Sequence, residues 1–319
     1  MSATLPVWKN NLFTFTMYQF RTTADLLKLC KKHDASMAEI TIRYEMEHSS
    51  KHRADVLKKM RKTMKTMKEA VQEAIKNPQE SAFHMAGGDA PLLIKGLKGS
   101  KRKKMATSPV VLRAMAYAVA TGETNSAMGR IVAFPTAGGA GVVPGVMLAY
   151  AEEFKTTNKK LLEGLLTASA IGKIIADGAT LSAAAGGCQA EVGAAIAMAA
   201  AGVTEMRGGT PEQAANAAAM GLKSFLGVVC DPLGGLVAVP CIKRNMLGAS
   251  TALASSDASL LGVESFIPFD EVVAAMKNIA AIMSPKLRET ALGGLAVTKT
   301  GLRIRKKMGL PPLKPNDID

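Results

Sequence analysis

Three of the four cysteines in this 319-residue chain lie in turns marked by glycine or proline. Cys188 belongs to GGCQAEVG, and Cys230 and Cys241 bracket the segment CDPLGGLVAVPC. Thiolates are soft ligands that suit iron, copper and zinc. A set of loop thiols therefore favours a cofactor site, whereas a buried cysteine by itself is more often a small hydrophobe. Both interpretations stay open on the spacing alone.

The spacing of these thiols does not fit the common metal motifs. The chain has neither the paired C-x2-C knuckles of a zinc ribbon nor the C-x2-C-x2-C run of bacterial ferredoxins. A cysteine nucleophile needs a base, and the four histidines all lie outside the cysteine loops. A 4Fe–4S cluster held by three thiolates would leave one iron open as a Lewis acid, which is the remaining catalytic possibility.

A second group of chemistry-bearing residues is the glycine loop FPTAGGAGVVPG at residues 134–145. Like the cysteine segments, it mixes glycine with polar residues and then opens a predicted helix. Free backbone N–H groups at a helix N-terminus bind anions such as carboxylate or phosphate. Close helix packing is the alternative explanation for such glycines, and three such loops in one chain favour function.

The elements that must position these loops are helices. Hydrophobic residues make up 48% of the chain, aromatic residues only 4%, and no segment alternates as a strand does. We predict an all-α fold, a multi-helix catalytic domain with glycine-rich loops. The predicted helices cover residues 24–33, 37–49, 52–76, 109–129, 145–154, 160–177, 191–202, 211–229, 242–256 and 269–283. Residues 98–104 are expected to form an exposed loop, and residues 84–93 a turn.

The chain is long enough for one large domain. We expect an N-terminal extension over residues 1–20, the helical domain over 21–310 and a C-terminal tail over 311–319. Four cysteines do not suggest a disulfide scaffold, and no secretory signal is evident, so a cytoplasmic location is expected. The uncharged stretch 131–151 is broken by glycine and proline, which argues against a membrane span.

The net charge of +14 is concentrated in residues 51–76, 95–104 and 303–307. A basic surface is compatible with nucleic acid or with an acidic partner protein. The chain has no helix-turn-helix, zinc-finger or RNP-like motif and few aromatic residues for base stacking, so we predict no nucleic-acid partner.

Together, GGCQAEVG, CDPLGG with VPCIKRN, and FPTAGGAGVVPG resemble the signature segments of the iron–sulfur L-serine dehydratase (L-serine ammonia-lyase) α chain. AGGDAPLL, IPFDEVVAAM and LRETALGGLAVTKTG agree with the same family, and the resemblance covers residues 21–310. The resemblance implies that Cys188, Cys230 and Cys241 ligate a 4Fe–4S cluster. It also implies a lyase of amino-acid catabolism and gluconeogenesis that converts L-serine through aminoacrylate to pyruvate and ammonia.

Members of this family with one long chain carry an extra N-terminal domain with a Ser-Ser-His-Thr-type segment, which this sequence lacks. The resemblance therefore implies an α subunit that works with a separate β chain as a heteromer. Some relatives also end in a cysteine, whereas this chain ends PPLKPNDID. A self-inhibiting C-terminal thiol is not expected here.

Within this framework we expect Thr136, Ala137 and Gly138 to bind the substrate carboxylate, and Gln189 to hydrogen-bond substrate or cluster sulfide. The general base is not identified by the sequence. Glu191 is a candidate for it, although a helix-capping role is favoured.

Three charged residues lie close to the thiols in the sequence, and for them we expect structural or electrostatic roles. Asp231 is expected only to cap a turn. Lys243 and Arg244 either offset the charge of the cluster or form a solvated surface pair.

Three alternative functions are kept in view. A related iron–sulfur lyase of the cysteine desulfidase type would use the same cluster on another amino acid. A pyridoxal phosphate enzyme would need an α/β scaffold with strands, which the pattern does not predict. A non-catalytic binding subunit is the third alternative, and it would keep its role after a Cys188→Ser change.

Overall fold

The computed structural model describes residues 17–314, and within that range the chain folds into fourteen α-helices without a β-strand. The all-α prediction is confirmed. The helices are α1 Thr23–His33, α2 Met37–Ser49, α3 Arg53–Lys76, α4 Asp89–Lys95, α5 Gly99–Arg102, α6 Pro109–Ser126, α7 Val142–Glu153, α8 Asn158–Gly178, α9 Ala183–Gly186, α10 Ala194–Met206, α11 Pro211–Lys223, α12 Cys241–Leu260, α13 Phe269–Ile282 and α14 Lys299–Lys307.

The N-terminal helices begin where their capping residues stand. Thr22 caps α1, where it forms a reciprocal capping box with Asp25, and Ser36 caps α2 through the backbone N–H of Glu39. The long helix α3 carries a stripe of methionine, valine and alanine at helical spacing, and the stripe packs against the core while the lysines stay outside.

The centre of the domain is α10, an alanine-rich helix that is buried on all sides. It packs against α7, α8, α11 and α12. Small residues allow these helices to approach closely. A Cβ atom on Gly164 of α8 would lie only 2.9 Å from the carbonyl oxygen of Gly202 in α10. Any larger residue at this crossing would push the two helices apart, which is why an aromatic-poor sequence still forms a dense core.

Several boundaries differ from the sequence-based prediction. Four helices were not predicted: α4, α5, α9 and α14. The last of these, KTGLRIRKK, has only two apolar side chains, Leu302 and Ile304, among charged and small residues. The helix predicted over 211–229 ends at Lys223, and Gly227 follows with a positive φ of 78°. Pro144 lies inside the first turn of α7 rather than before it, where a missing N–H costs no intrahelical bond.

The predicted extension 1–20 and tail 311–319 lie outside the described residues, apart from 17–20 and 311–314. Phe20 is buried, and its carbonyl oxygen accepts a hydrogen bond from Lys173 at 2.8 Å. No helix between residues 17 and 314 is both long and apolar enough to cross a membrane.

Candidate active site

The three loop cysteines come together in the structure. Cys188 precedes a π-helical turn, Gln189–Gly193, that leads into α10; Cys230 lies on the loop after α11; Cys241 is the first residue of α12. All three are buried thiols. Burial is the main cause that raises the pKa of Cys188 to about 11 and that of Cys241 to about 12. Cys188 contributes further to the raised pKa of both Cys230 and Cys241, so the thiols are electrostatic neighbours.

The Cys230 loop is held by the segment that follows α13. The N–H of Cys230 donates to the carbonyl oxygen of Leu287, and the N–H of Glu289 donates to that of Cys230, both at 2.8 Å. These two bonds form a short parallel bridge between distant parts of the chain. The LRETALGG segment is therefore a wall of the thiol site, which sequence spacing alone did not indicate.

Asp231 does more than cap a turn, contrary to the expectation from sequence. Its Oδ2 accepts a hydrogen bond from the N–H of Leu295 at 2.8 Å, and its Oδ1 lies 2.9 Å from Nη1 of Arg244. The carboxylate is almost fully buried, with 4% of its side chain exposed. Asp231 thus joins the thiol loop both to the C-terminal wall and to a cation.

The two adjacent cations that the sequence treated as a pair have different surroundings. Arg244 donates to the carbonyl oxygen of Val229 at 2.8 Å, and its positive charge acts to lower the pKa of Cys188. Lys243 instead forms an ion pair with Asp89 at the start of α4. Arg244 is therefore the member of the pair that can offset negative charge on the thiols.

The glycine loop packs directly against the segment that follows Cys188. A Cβ atom on Gly138 would lie 2.8 Å from the carboxyl carbon of Glu191, and one on Gly139 would lie 2.7 Å from the backbone oxygen of Glu191. Neither position has room for a side chain. The approach places the glycine loop, with Thr136 and Ala137, next to the thiol-bearing turn.

Glu191 lies in the first turn of the π-helical segment, where an acidic residue suits the helix N-terminus, and its carboxylate also faces this loop. The hydroxyl of Thr136 lies near its carboxylate and acts to lower its pKa. Burial raises the pKa of Glu191, and the nearby Glu289 raises it further. Negative charge on Glu191 also raises the pKa of Cys188, Cys230 and Cys241, which puts this carboxylate within electrostatic reach of all three thiols.

Gln189, an expected contact of substrate or sulfide, is fully buried. Its Nε2 donates to the carbonyl oxygen of Met276 at 3.2 Å, and its Oε1 accepts from the N–H of Gly227 at 2.9 Å. Both ends of the amide are used within the protein, and they link the turn after Cys188 to α13 and to the loop after α11.

The glycine loop offers backbone donors. The N–H of Gly139 donates to the hydroxyl oxygen of Thr136 at 3.3 Å, whereas between residues 17 and 314 no acceptor pairs with the N–H of Ala137 or Gly138. A cavity of about 370 Å³ lies beside this loop. Its lining includes Met85, Met128, Ala137, Leu236, Val237 and Ala238. The cavity therefore reaches both the glycine loop and the segment between Cys230 and Cys241.

The donor set fits an iron–sulfur cluster better than a single ion. In the described range, no three His, Cys, Asp or Glu side chains are arranged around one metal position. A 4Fe–4S cluster binds each thiolate through a different iron, so its ligands need not converge on one point. Three buried soft donors from three loops, with Arg244 to offset their charge, meet that requirement.

The chain is similar in sequence to serine dehydratase alpha chains. A family profile described as "Serine dehydratase alpha chain" matches residues 32–296. The chain is 45% identical over 289 residues to the "Probable L-serine dehydratase, alpha chain" of Bacillus subtilis (strain 168), covering 91% of this chain and 95% of that relative. It is 38% identical to the "L-serine dehydratase, alpha chain" of Peptoniphilus asaccharolyticus, over 89% of this chain and 97% of that relative.

A longer relative is also similar. The "L-serine dehydratase" of Streptomyces coelicolor is 33% identical over 289 residues, which cover 89% of this chain but only 62% of that relative. More than a third of the longer relative therefore lies outside the region that it shares with this chain.

Proposed function

The chain belongs to the serine dehydratase alpha chain family, and we propose that it is the α subunit of an iron–sulfur L-serine dehydratase. The observation that carries the proposal is the meeting of Cys188, Cys230 and Cys241 beside the glycine loop. Cys188 is well separated in sequence from the segment that carries Cys230 and Cys241, and burial as small hydrophobes does not require the three thiols to converge.

The proposed reaction removes water from L-serine. The Cα–H and Cβ–O bonds break, a C=C bond forms, and the proton and hydroxide leave as water. The aminoacrylate product tautomerises to an imine, which water hydrolyses to pyruvate and ammonia. Hydroxide is a poor leaving group, and a 4Fe–4S cluster, when bound, supplies a Lewis acid that stabilises the departing oxygen.

The chain's own residues supply the rest of the site. Cys188, Cys230 and Cys241 would hold the cluster. The unpaired N–H groups of Ala137 and Gly138 bind the substrate carboxylate, as a helix N-terminus binds an anion. Gln189 positions the thiol-bearing turn through its buried amide.

We propose that a β chain completes the enzyme in trans. The support is the coverage of the relatives: the two named α chains are covered almost completely, whereas the single-chain Streptomyces relative extends well beyond the shared region. A cytoplasmic location is part of the proposal, since all four cysteines are unpaired, as in reducing compartments.

The test is anaerobic iron and sulfide content, with the visible spectrum, of the wild type and of Cys188→Ser and Cys241→Ser. The wild type should hold about four irons per chain, and each variant should lose most of them together with its absorption. Cys30→Ser is the matched control, because Cys30 is also buried but lies on α1 outside the site. It should keep its iron.

Turnover with a co-expressed β chain then identifies the substrate. Pyruvate from L-serine supports the proposal, and sulfide release from L-cysteine without serine turnover would favour the desulfidase alternative. A colourless wild type after anaerobic reconstitution would contradict the cluster.

A further inference from the structure

The carboxylate of Glu191 has fewer hydrogen-bond donors around it than the carboxylates of Glu123 and Glu205. Glu123 accepts hydrogen bonds from the N–H groups of Asp89 and Ala90. Glu205 accepts from the N–H of Ala38 at 3.2 Å and from the hydroxyl of Thr167 at 2.7 Å.

Among the described residues, no backbone N–H donates to the carboxylate of Glu191, and the nearby hydroxyl of Thr136 acts to lower its pKa. No ion pair within residues 17–314 includes Glu191, although the residue is only 9% exposed. A buried carboxylate without a cation or several donors is unstable as an anion.

The surroundings of Glu191 make this deficit larger. The ionisable groups that influence it or are influenced by it are Glu289 and the thiols of Cys188, Cys230 and Cys241, each of which is neutral or negative. The guanidinium of Arg244 is paired with Asp231, and it interacts electrostatically with Cys188. The negative charge of the Glu191 carboxylate is therefore not neutralised by any cation of the described chain, and a positively charged ligand would neutralise it.

The Glu191 carboxylate also lies beside an anion-binding feature. It touches the glycine loop at Gly138, so closely that a Cβ atom there would overlap it. The N–H groups of Ala137 and Gly138 in that loop are unpaired. The carboxylate of Glu191 can bind a cation, and the adjacent N–H groups of Ala137 and Gly138 can bind an anion. An α-amino acid carries both charges, an ammonium and a carboxylate, on one carbon atom and therefore matches this arrangement.

We propose that the carboxylate of Glu191 binds the α-ammonium group of the amino-acid substrate, while the N–H groups of Ala137 and Gly138 bind its carboxylate. The proposal deepens the proposed function and rests on it. The bound ammonium supplies the missing cation and orients Cα within the site. It also makes Glu191 the residue that rejects hydroxy acids, which lack the ammonium group.

The test compares two ligands of the assembled α–β enzyme under anaerobic conditions. L-Serine and the glycerate of matching configuration differ only in an ammonium group or a hydroxyl at Cα. Because L-serine is consumed, its apparent affinity is taken from KM and that of glycerate from its inhibition constant, both in the pyruvate assay, and they should show that the wild type prefers L-serine. In Glu191→Gln, the affinity for L-serine should fall roughly 10–100-fold, because a charge-assisted contact is lost. The affinity for glycerate should stay within about threefold of its wild-type value, so the preference collapses.

Two further variants separate this role from a structural one. Glu191→Asp keeps the charge and should keep the preference for L-serine, even if both ligands bind more weakly. Glu205→Gln is the matched control, since it also removes the charge of a buried carboxylate but lies among Ala38 and Thr167. It should keep the wild-type preference. Iron content and the visible spectrum, measured on each variant, report whether the cluster is intact.

Several outcomes would overturn the assignment. An unchanged preference in Glu191→Gln, or equal binding of the two ligands by a wild type that turns over serine, overturns it and leaves the proposed function standing. Loss of iron in Glu191→Gln that Glu191→Asp restores would assign Glu191 to the metal instead. A loaded wild-type complex that neither binds nor deaminates L-serine overturns the proposed function, and this inference with it.

Discussion

Asn245 donates a hydrogen bond of 2.6 Å from its side-chain Nδ2 to the carbonyl oxygen of Gly138. The same Nδ2 donates to the carbonyl oxygen of Cys241 at 2.9 Å, and Oδ1 accepts from the N–H of Gly141 at 3.0 Å. One buried amide therefore ties the glycine loop to the helix that begins at Cys241. A loop and a thiol that lie about a hundred residues apart are held in one arrangement.

We expect Asn245→Ala to lower both stability and iron loading. The change leaves buried backbone groups of Gly138 and Gly141 unpaired, which costs about 2–3 kcal/mol in the free energy of unfolding. Iron per chain should fall because the glycine loop no longer fixes α12. Urea unfolding and iron analysis measure the two effects.

The control for this prediction is Asn216→Ala. Asn216 also uses both ends of its amide, toward Ser259, Val263 and Ser265, but on the far connection between α12 and α13. It should lose comparable stability and keep its iron. Equal iron in both variants would mean that Asn245 is only structural.

Arg244→Ala and Lys243→Ala should behave differently although the residues are adjacent. Removing Arg244 leaves the buried Asp231 without its cation, which costs about 3–5 kcal/mol, and removes the cation beside Cys188. Lys243 is half exposed and pairs with Asp89, so its loss should cost less than about 1 kcal/mol.

Iron content and chemical unfolding of the two variants give the comparison. Arg244→Lys should recover part of the iron, because it keeps the charge but not the planar fork of the guanidinium. Identical iron loading in Arg244→Ala and Lys243→Ala would contradict a role for Arg244 at the thiols.

Gly138→Ala should impair the enzyme because the added methyl group overlaps sterically with the side chain of Glu191. The backbone of Gly138 does not have a positive φ, so alanine is conformationally allowed, but its Cβ would overlap the carboxylate of Glu191. We expect a loss of about 1–3 kcal/mol in stability and a severe loss of serine turnover. A second change, Glu191→Asp, shortens the opposing side chain and should restore part of the stability.

Gly178→Ala serves as the matched glycine control. Its added Cβ would meet only a methyl group of Val273 at 2.9 Å, and a side chain can move aside. Turnover should stay near the wild-type value. If Gly138→Ala were equally harmless, the close approach to Glu191 would not matter for function.

Glu39 gives a prediction for pH dependence away from the site. The hydrogen bond from Arg53, and then that from Arg43, hold the pKa of Glu39 below its ordinary value of 4.5. A carboxylate with a lowered folded-state pKa adds stability above its unfolded pKa and loses it as the pH falls through its folded value. Glu39→Gln should therefore cost about 0.5–1 kcal/mol at pH 7, a modest value because Arg53 is half exposed.

The measurement is urea unfolding of wild type and Glu39→Gln across the acid range. The difference between them should shrink once the pH drops below about 4. The exposed pair of Lys159 and Glu163, separated by 3.9 Å, offers the control variant Glu163→Gln, which should change stability by less than about 0.5 kcal/mol. A difference for Glu39→Gln that stays constant with pH would rule out the ionic contribution.

Local signals in the sequence predicted much of the fold. The methionine stripe of α3, the capping serine at Ser36 and the Ser108-Pro109 start of α6 each depend on residues within a few positions of one another. Such patterns are visible before folding because the physics that they report is local. By contrast, the nine-residue helix α14 has only two apolar side chains, a pattern too short to predict it, and it packs against residues 233–235 and 294–297.

The site was harder to predict because its contacts are long-range. The spacing of glycine and cysteine indicated which loops matter, and the structure brings those loops together. The pairing of Cys230 with the 287–289 segment, or of Gly138 with Glu191, has no periodic signature along the chain. The one local hint for Asn245 was an amide four residues after Cys241, at a position that a helix would turn inward.

The wall around Cys230 has a consequence for how the protein is made. The backbone partners of Cys230 and the donor to Asp231 come from residues 287–295, close to the end of the described chain. During synthesis, Cys188, Cys230 and Cys241 all leave the ribosome before the segment that closes around them. The thiol-bearing segments are therefore complete in the growing chain before their wall can form, and docking of residues 287–295 is a late step in the burial of Cys230.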